Sequence, residues 1–505
     1  MNHLLCGLAA NVALPSELVD RLIAVADEEI AGSLAARPDL SHEQALALVA
    51  QVGESAGQLA YEGRLTAADI DPATQPYAAL TLLDRRAGDP EWARLLVRDP
   101  LVRHRERLAA CAGLPSDVVE TLAADPDVRV VAELAFWTTP DRAAVLARHP
   151  HAEVRRSVAA NEATPPGVLA ALMTGEGLPP ARWCLVCDRE ETPFVHPLEC
   201  PLPDCDLLPG DSCDSSHEST VHETRQQALR NPATPTEAAA AFAGHPSIWL
   251  RRELAARPDL PPEVSGRLAT DPHPGVRADL AGNPAIGAPL IRAMAADPDH
   301  EVRRGLAGNP HVPFDVLSCL AATTRIGSAL LPAIAAASPR QVGELAESSN
   351  PEVRMLLAQR RDLPAAIRDA LAADPDAKVV KSVAPHPGLS DARLRAMVGR
   401  HGVRVVAAVA ANPDATPALL VDLTRHGPPV QKAFRAVARH RRATAPALLA
   451  CLADREARQL AAGHPALPPP VIVELLTDTH WQVVEAAAAN PALPPAVMWD
   501  LVPRP

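Results

Sequence analysis

The sequence is poor in aromatic residues, which make up only 3% of its 505 positions. Its hydrophobic cores must therefore be built from alanine, leucine and valine. Lysine is also scarce, since only Lys378, Lys381 and Lys432 are found among the 48 basic residues. Because this preference for arginine extends over the whole chain, arginine counts alone do not indicate a binding surface.

Long apolar runs are missing as well. No uninterrupted segment reaches the roughly 18 residues that a membrane span needs, and the N-terminus has no basic segment of the kind that begins a signal peptide. We therefore expect no membrane partner and a cytoplasmic protein, whose thiols stay reduced.

Two nucleotide-binding motifs are absent from the sequence too. It contains no phosphate-binding loop and no dinucleotide fingerprint, and we expect no enzyme. The net charge of -13 makes nucleic acid an unfavourable partner. A helical-repeat enzyme acting on nucleic acid would need a basic groove lined by aromatic side chains, which this composition does not favour.

Proline, in contrast, is abundant and regularly spaced. The pairs Asn283-Pro284 and Asn309-Pro310 are 26 residues apart, and the chain has 53 prolines. A proline also follows Asn231, Arg257, His386, Asn412, His464 and Asn490. From 231 to 309, and again from 386 to 490, successive pairs are separated by 26 residues or by twice that number. Such a period indicates a repeat architecture.

Each repeat has the pattern of two short helices. In the stretch DPDHEVRRGLAGNP, we expect Asp297 to cap a helix with Val302 and Leu306 on its apolar face. A second helix follows Pro313 and carries Leu317 and Leu320. Helices of this length are not stable alone, so each repeat must bury its apolar side against the next one.

The predicted fold class is therefore an all-α solenoid of repeats of about 26 residues, interrupted by a small irregular cysteine-rich insert. The predicted divisions are divergent helical repeats at 1–98, helical repeats at 99–175, the insert at 176–222, and helical repeats with a C-terminal cap at 223–505.

The unit DPxxxVRRxLAxNPxxPxxxLxxLA resembles the leucine-rich repeat variant family. The resemblance covers most of 100–502 and, more weakly, 1–98. It implies a scaffold in which short helices wind into a right-handed superhelix. Some members of that family carry an iron–sulfur module beside their repeats.

The insert breaks the period. Asn161 and Asn231 hold equivalent positions 70 residues apart, so about 44 residues have been added. Cys184, Cys187, Cys200 and Cys205 follow the spacing C-x2-C-x12-C-x4-C, which suits a tetrahedral metal ion. The reserve ligands are Cys213, His196, His217 and His222.

The insert has almost no hydrophobic core, so a structural metal would supply its order. Zinc is the first interpretation. A 4Fe-4S cluster is the alternative, because it would use the same four cysteines. Between 184 and 222 there are nine acidic residues and one basic residue, Arg189. A segment of this charge favours docking on a basic protein surface or on the repeats themselves.

Arginine often follows the valine of the repeat unit. A guanidinium at this place can bridge helix-end carbonyls or a neighbouring aspartate and so hold adjacent repeats in register. The alternative is a groove that grips acidic segments. The arginines considered as binding residues are Arg155, Arg251, Arg277, Arg303, Arg435 and Arg439.

Two functions follow from these patterns. The first is a non-catalytic scaffold that binds a protein or peptide partner and carries a zinc-stabilised loop. The alternative is an iron–sulfur redox or sensor protein built on the same repeats.

Overall fold

The computed structural model describes residues 2–189, 194–201, 205 and 207–504. Helices dominate these residues, and the only strands among them form one small two-stranded sheet in the insert. The predicted fold class, an all-α repeat solenoid, is confirmed. Every helix in the described ranges is too short or too polar to cross a lipid bilayer.

The chain forms two compact units. Unit one combines Met1–Leu65 with Phe314–Pro505, and unit two is Thr66–Pro313.

The first helices of unit one are α1 His3–Ala10, α2 Ser16–Ala24, α3 Glu28–Ala35, α4 His42–Gln51 and α5 Ser55–Tyr61. Unit two begins with a short 3₁₀ helix at Ala67–Asp69 and continues with α6 Pro76–Asp84, α7 Glu91–Leu96, α8 Val102–Ala109, α9 Ser116–Ala123, α10 Val128–Trp137, α11 Pro140–Leu146, α12 Ala152–Ala160 and α13 Pro166–Thr174.

The insert contains the strands β1 Phe194–Val195 and β2 Ser212–Cys213. The helices that complete unit two are α14 Glu218–Arg230, α15 Thr236–Ala240 with a 3₁₀ turn at Ala241–Gly244, α16 Ile248–Ala255, α17 Pro262–Leu268, α18 Pro274–Gly282, α19 Ala288–Met294 and α20 His300–Ala307.

The remaining helices belong to unit one. They are α21 Phe314–Thr323, α22 Pro332–Ala335, α23 Pro339–Ala346, α24 Pro351–Leu357, α25 Ala365–Ala372, α26 Ala377–Val383, α27 Asp391–His401, α28 Val406–Ala410 after a 3₁₀ turn at Gly402–Arg404, α29 Pro417–Thr424, α30 Gln431–Ala438, α31 Ala445–Cys451, α32 Arg455–Ala462, α33 Pro469–Leu475, α34 Trp481–Ala488 and α35 Pro495–Leu501.

Repeat helices begin and pack much as their sequence predicts. Val302 and Leu306 on α20 are fully buried. On α21, Leu317 is fully buried and Leu320 is 1% exposed. The predicted cap is wrong by two residues, because α20 begins at His300 and Asp299 is its N-cap. Asp297 instead accepts the Asp299 N–H at 2.9 Å, so the chain makes this tight turn before the helix begins.

The asparagine that marks the period links neighbouring repeats. Asn309 Nδ2 donates to the carbonyls of Ala281 at 2.9 Å and Asn283 at 2.7 Å, and its Oδ1 accepts from the N–H of His311 at 2.9 Å. The same pair of donations is made by Asn11, Asn231, Asn283, Asn412 and Asn490. One side chain therefore satisfies carbonyls at the end of a helix in the preceding repeat.

Arginine and histidine replace this asparagine in some repeats. Arg257 Nη1 donates to the carbonyls of Leu229 and Asn231 at 2.8 and 3.2 Å. His464 accepts the N–H of Ala466 at Nδ1 and faces the His440 carbonyl with Nε2, each at 3.1 Å. A carbonyl can only accept, so His464 carries its proton on Nε2.

In unit two, alternate helices stack on one another. The row consists of α6, α8, α10, α12, α14, α16, α18 and α20, each of which packs directly on the next. The other α-helices of the unit come between these in the sequence. Asn231, at the end of α14, donates to carbonyls at the end of α12 that lie 72 and 70 positions earlier in the sequence. In the repeat of Asn309 the corresponding separations are 28 and 26 positions. The stack is therefore continuous beneath the insert.

Unit one contains a contact that the sequence order does not suggest. Helix α1 packs on α34, and Asn11 donates to the carbonyls of Ala488 and Asn490 at 2.9 and 2.8 Å. His3 stacks on Trp481, with ring centroids 4.3 Å apart. The N-terminal repeats thus occupy the place of the next repeat after α34.

Candidate metal centre

The insert lies against the N-terminal end of α12. The Ala152 N–H donates to the Trp183 carbonyl at 2.8 Å, and the Arg182 N–H donates to the Pro150 carbonyl at 2.7 Å. His151 Nε2 lies 2.9 Å from Asp188 Oδ2. These contacts place the Cys184–Cys187 turn directly on the repeat.

A small sheet and a small core order the far part of the insert. Phe194 pairs with Cys213 in the antiparallel ladder between β1 and β2. The buried residues of the insert core are Ala152, Cys184, Val186, Leu207 and Cys213. Because two of these five are cysteines, the core is too small to order the insert by apolar packing alone.

Four side chains converge at this core. Cys184, Cys187, Cys213 and His217 bring their ligand atoms within 4.8 Å of one another, and we name this set the four-ligand group. Cys184 Sγ is 3.7 Å from Cys213 Sγ, and His217 Nδ1 is 3.7 Å from Cys187 Sγ and 3.6 Å from Cys213 Sγ. All the cysteines are free thiols.

These distances are those of ligands around one metal ion. Zinc–sulfur bonds of about 2.3 Å in a tetrahedron place neighbouring sulfurs about 3.8 Å apart. A disulfide would instead bring two sulfurs to about 2.05 Å. The four-ligand group can therefore hold a single ion in a closed Cys₃His shell.

The backbone also prepares the four-ligand group. His217 has a φ of 54°, in the left-handed region, at the N-cap of α14. Few non-glycine residues adopt this conformation, and histidine is among those that do so more often. The Cys184 N–H donates to Cys187 Sγ at 3.1 Å. Burial raises the pKa of the Cys184 thiol to about 12 and also raises the pKa of Cys187, so binding a cation would release protons.

A second set of donors lies in the same insert. His196, Cys200 and Cys205 bring their ligand atoms within 4.8 Å of one another, and we name them the three-ligand group. His196 Nε2 is 3.2 Å from Cys205 Sγ. Within the described part of the chain, no fourth histidine, cysteine or carboxylate joins this set.

The structure thus divides the four cysteines predicted as one site. Cys184 and Cys187 lie with two of the reserve ligands, Cys213 and His217, whereas Cys200 and Cys205 lie with the third, His196. His222 is outside both groups and contacts Ser247 Oγ at 2.8 Å. The spacing Cys213-x3-His217 was the available signal, because it also matches the spacing of a zinc ligand pair.

A groove separates the insert from the neighbouring repeat. It has a volume of about 870 Å³ and is lined on the repeat side by residues 125–129, 131 and 149–151. Trp183, Asp188 and Cys205 line it on the insert side. The Trp183 side chain is 47% exposed, although the insert core is adjacent.

Charged residues of both signs lie along this groove. Asp125 accepts from Arg105 Nε and Nη2 at 2.7 and 3.0 Å, and Arg129 pairs with Asp127 at 3.0 Å. Burial opposes ionisation of Asp127, but the hydrogen bonds from Arg129 outweigh it and lower the pKa of Asp127. The groove therefore offers paired charges together with one exposed indole.

The arginines considered for binding make contacts within the repeats. Arg277 donates from Nε and Nη2 to Asp297 at 2.8 and 3.0 Å, and from Nη1 to the Asp271 carbonyl at 2.8 Å. Arg251 bonds in the same way to Asp271 and the His245 carbonyl. These are the bridges expected of the structural interpretation.

The other four arginines differ in detail. Arg155 Nε donates to the His149 carbonyl at 2.6 Å, and Arg303 Nη1 donates to the Asp297 carbonyl at 2.6 Å. Arg435 pairs with Glu456. Arg439 lines a separate groove of about 450 Å³ in unit one, together with Lys432 and Arg435.

Comparison with known proteins identifies no family for this chain. No protein-family model and no curated protein matches the chain. A solved structure described as a leucine-rich repeat variant with a novel repetitive motif is similar at 20% identity and a TM-score of 0.30, covering 54% of this chain and 88% of that one. The SYS-1/POP-1 complex is similar at 10% identity and a TM-score of 0.15, covering 98% of this chain and 100% of that one.

Proposed function

We propose that this protein is a non-catalytic repeat scaffold that binds a protein or peptide partner in the groove between the insert and the repeat at 125–151. A zinc ion in the four-ligand group orders the insert wall of that groove. The carrying observation is the groove itself, because one of its walls belongs to a repeat and the other belongs to the insert that contains the four-ligand group.

The spacing of the four-ligand group supports zinc. Separations of 3.6 to 3.7 Å leave room for one ion at the centre. An iron–sulfur cluster stands between its cysteine ligands and would hold their sulfurs farther apart. Three cysteines and one histidine are also a set that structural zinc commonly uses.

The closed shell supports a structural role for this ion. Catalytic zinc has three protein ligands and keeps its fourth position for water or substrate. The four-ligand group uses all four positions, so the ion would order the chain and would not carry chemistry. Reduced thiols are needed for this site, in agreement with the expected cytoplasmic location.

The groove lining supports a polypeptide partner. The exposed Trp183 lines the groove, and tryptophan is among the residues that supply much of a protein interface's affinity. Paired charges such as Arg129–Asp127 supply hydrogen-bond donors and acceptors for the backbone N–H and C=O groups of a bound polypeptide. The excess of acidic residues in the insert disfavours nucleic acid. The repeat motif itself supports placing the repeats in the leucine-rich repeat variant family.

Partner capture with two tryptophan variants tests the binding role. Trp183→Ala should reduce retention of the partner at least tenfold, because its indole lies in the groove. Trp249→Ala is the matched control, since Trp249 is 59% exposed on α16, outside the groove. Equal retention by both variants would contradict the proposal.

Metal analysis tests the zinc assignment separately. Protein purified without oxygen should contain zinc, and it should lack iron and visible iron–sulfur absorption. Cys213→Ser should lower the zinc content, whereas Cys319→Ser should not, because Cys319 is exposed and lies on a repeat. Stoichiometric iron and sulfide would refute the assignment.

A further inference from the structure

The three-ligand group has the chemistry of a second metal site. Two thiols and an imidazole approach one another within 4.8 Å, and none of them belongs to the four-ligand group. His196 is buried, whereas Cys200 and Cys205 are partly buried. In the sequence, all three residues lie between Cys187 and Cys213, which belong to the four-ligand group. The same folding of the insert therefore brings both groups together.

The hydrogen bonding of His196 prepares its ring for a metal. His196 Nδ1 faces the Leu208 carbonyl at 3.1 Å. A carbonyl can only accept, so Nδ1 carries the proton and Nε2 keeps its lone pair. That lone pair is directed toward Cys205 Sγ at 3.2 Å. Metal-binding histidines are usually oriented in this way by a carbonyl on their other nitrogen.

The position of Cys205 connects this group to the groove. Cys205 lines the groove on the insert side. An ion held by Cys205 and His196 would lie at the groove wall, within reach of a molecule bound there. The described residues supply three ligands, which leave one position of a tetrahedral ion for a further ligand.

We propose that His196, Cys200 and Cys205 bind a second zinc ion whose fourth position opens to the groove. Water fills that position in the free protein, and a histidine, cysteine or carboxylate side chain of the bound partner replaces it. The partner's part in this site rests on the proposed function of the groove, whereas the ion itself does not.

Zinc stoichiometry of the full chain tests the ion. After dialysis against zinc, the protein should hold two ions per chain. His196→Ala and Cys205→Ser should each hold one, and Cys319→Ser should hold two. Retention of two ions by His196→Ala and Cys205→Ser would overturn the second site, as would a single ion in the unchanged protein.

A ligand-replacing variant covers the case in which these substitutions disturb folding. Cys205→His keeps three donors, so it should hold two ions. After replacement of zinc by cobalt, it should lose one of five cobalt–thiolate bonds, seen as a fall of about one fifth in the charge-transfer absorption. An unchanged charge-transfer band would show that Cys205 is not a ligand.

Imidazole tests the open position. Adding it to the cobalt protein should shift the visible spectrum of the unchanged chain and leave that of Cys205→Ser unchanged, because the four-ligand group is closed. A spectrum that imidazole does not change would overturn the open position.

The two metal proposals fail in different ways. If Cys213→Ser keeps both ions while Cys205→Ser loses one, the four-ligand assignment is wrong and the second site stands. If only Cys213→Ser loses an ion, the second site is wrong and the structural zinc stands.

Discussion

At the scale of single residues, the repeat depends on one polar position. A residue preceding proline leaves the helical region, so the sequence predicts that the asparagine ends a helix. The structure shows that its side chain also supplies donors to two buried carbonyls of the preceding repeat. Sequence periodicity locates this position, but a hydrogen bond to a residue 26 or 28 positions away cannot be predicted without the stack.

Replacing Asn309 should therefore be costly. Asn309 is fully buried, and Asn309→Ala removes the donor to the Ala281 carbonyl, while the Asn283 carbonyl keeps the Ile286 N–H at 3.4 Å. An unsatisfied buried carbonyl costs about 1–3 kcal/mol and each other lost hydrogen bond about 1 kcal/mol. We therefore expect a loss of about 2–4 kcal/mol in the free energy of unfolding measured in urea.

Asn350→Ala is the control for this change. Asn350 caps α24 through a bond to the Glu352 N–H at 2.9 Å, and within the described ranges its side chain makes no bond to an earlier repeat. Loss of an N-cap costs about 1 kcal/mol. An equal loss for both variants would contradict the linking role of Asn309.

His464, which takes the place of the linking asparagine in its repeat, makes the stability of the stack sensitive to pH. Burial lowers the pKa of His464, so the folded protein keeps the ring neutral while the unfolded chain protonates near pH 6.5. The stability that His464 contributes is complete above that pH and is lost as the pH falls. Protonation would also place a hydrogen on Nδ1, where the Ala466 N–H already donates.

His464→Asn should reduce this pH dependence. We expect the fall in melting temperature between pH 8 and pH 5 to be smaller in His464→Asn than in the unchanged protein. His311→Asn is the control, because His311 is exposed and its replacement should leave the fall unchanged. An identical fall in all three proteins would show that the pKa of His464 is the same in the folded and the unfolded protein.

The arginine–aspartate bridges respond to a lower pH range. The hydrogen bonds from Arg277 lower the pKa of Asp297. Because the folded carboxyl has the lower pKa, its contribution is present above about pH 4 and is lost as the pH falls further. As the pH falls, the stack thus loses stability first from His464, below about pH 6.5, and then from Asp297, below about pH 4.

At the scale of elements, the helices are predictable and the insert is not. Apolar residues at threes and fours, together with prolines at the first turn, indicate helices such as α20 and α21 from the sequence alone. The insert has no period, so its ligands can be recognised only by residue type and by short spacings such as Cys213-x3-His217. Which cysteines meet is decided by the pairing of β1 with β2 and by the turn at His217, and neither leaves a pattern in the sequence.

Removing metal should therefore affect the insert selectively. A chelator should raise amide exchange at 184–217, because the core formed by the described residues of the insert is small, with five buried members. The neighbouring repeats at 248–311 should keep their protection, since their helices pack on one another. Added zinc should restore the insert. Unchanged exchange at 184–217 in metal-free protein would show that packing alone orders this segment.

At the scale of the whole molecule, unit one joins segments from opposite parts of the sequence. Gly7 on α1 lies so close to α34 that an added Cβ would overlap the Glu485 carbonyl oxygen and come within 2.8 Å of Ala488 Cβ. Only glycine permits this approach of the two helix backbones. Periodicity predicts repeats near the N-terminus but cannot show that their neighbour is α34.

Gly7→Leu should separate these two helices. We expect higher amide exchange in α1 and α34 and a change in Trp481 fluorescence, because His3 stacks on that indole. Gly32→Ala is the matched control, since an added Cβ there would meet only Gln58 Oε1 at 3.9 Å. Equal exchange in the two variants would refute the close packing of α1 on α34.

The bond from Asn11 to Ala488 spans 477 positions of the chain. Most repeat proteins have a low contact order, because each repeat meets only the one made just before it. In this chain the ribosome must finish α34 before α1 can acquire its neighbour. The side of α1 that packs on α34 therefore stays uncovered until the residues between the two helices have been synthesised.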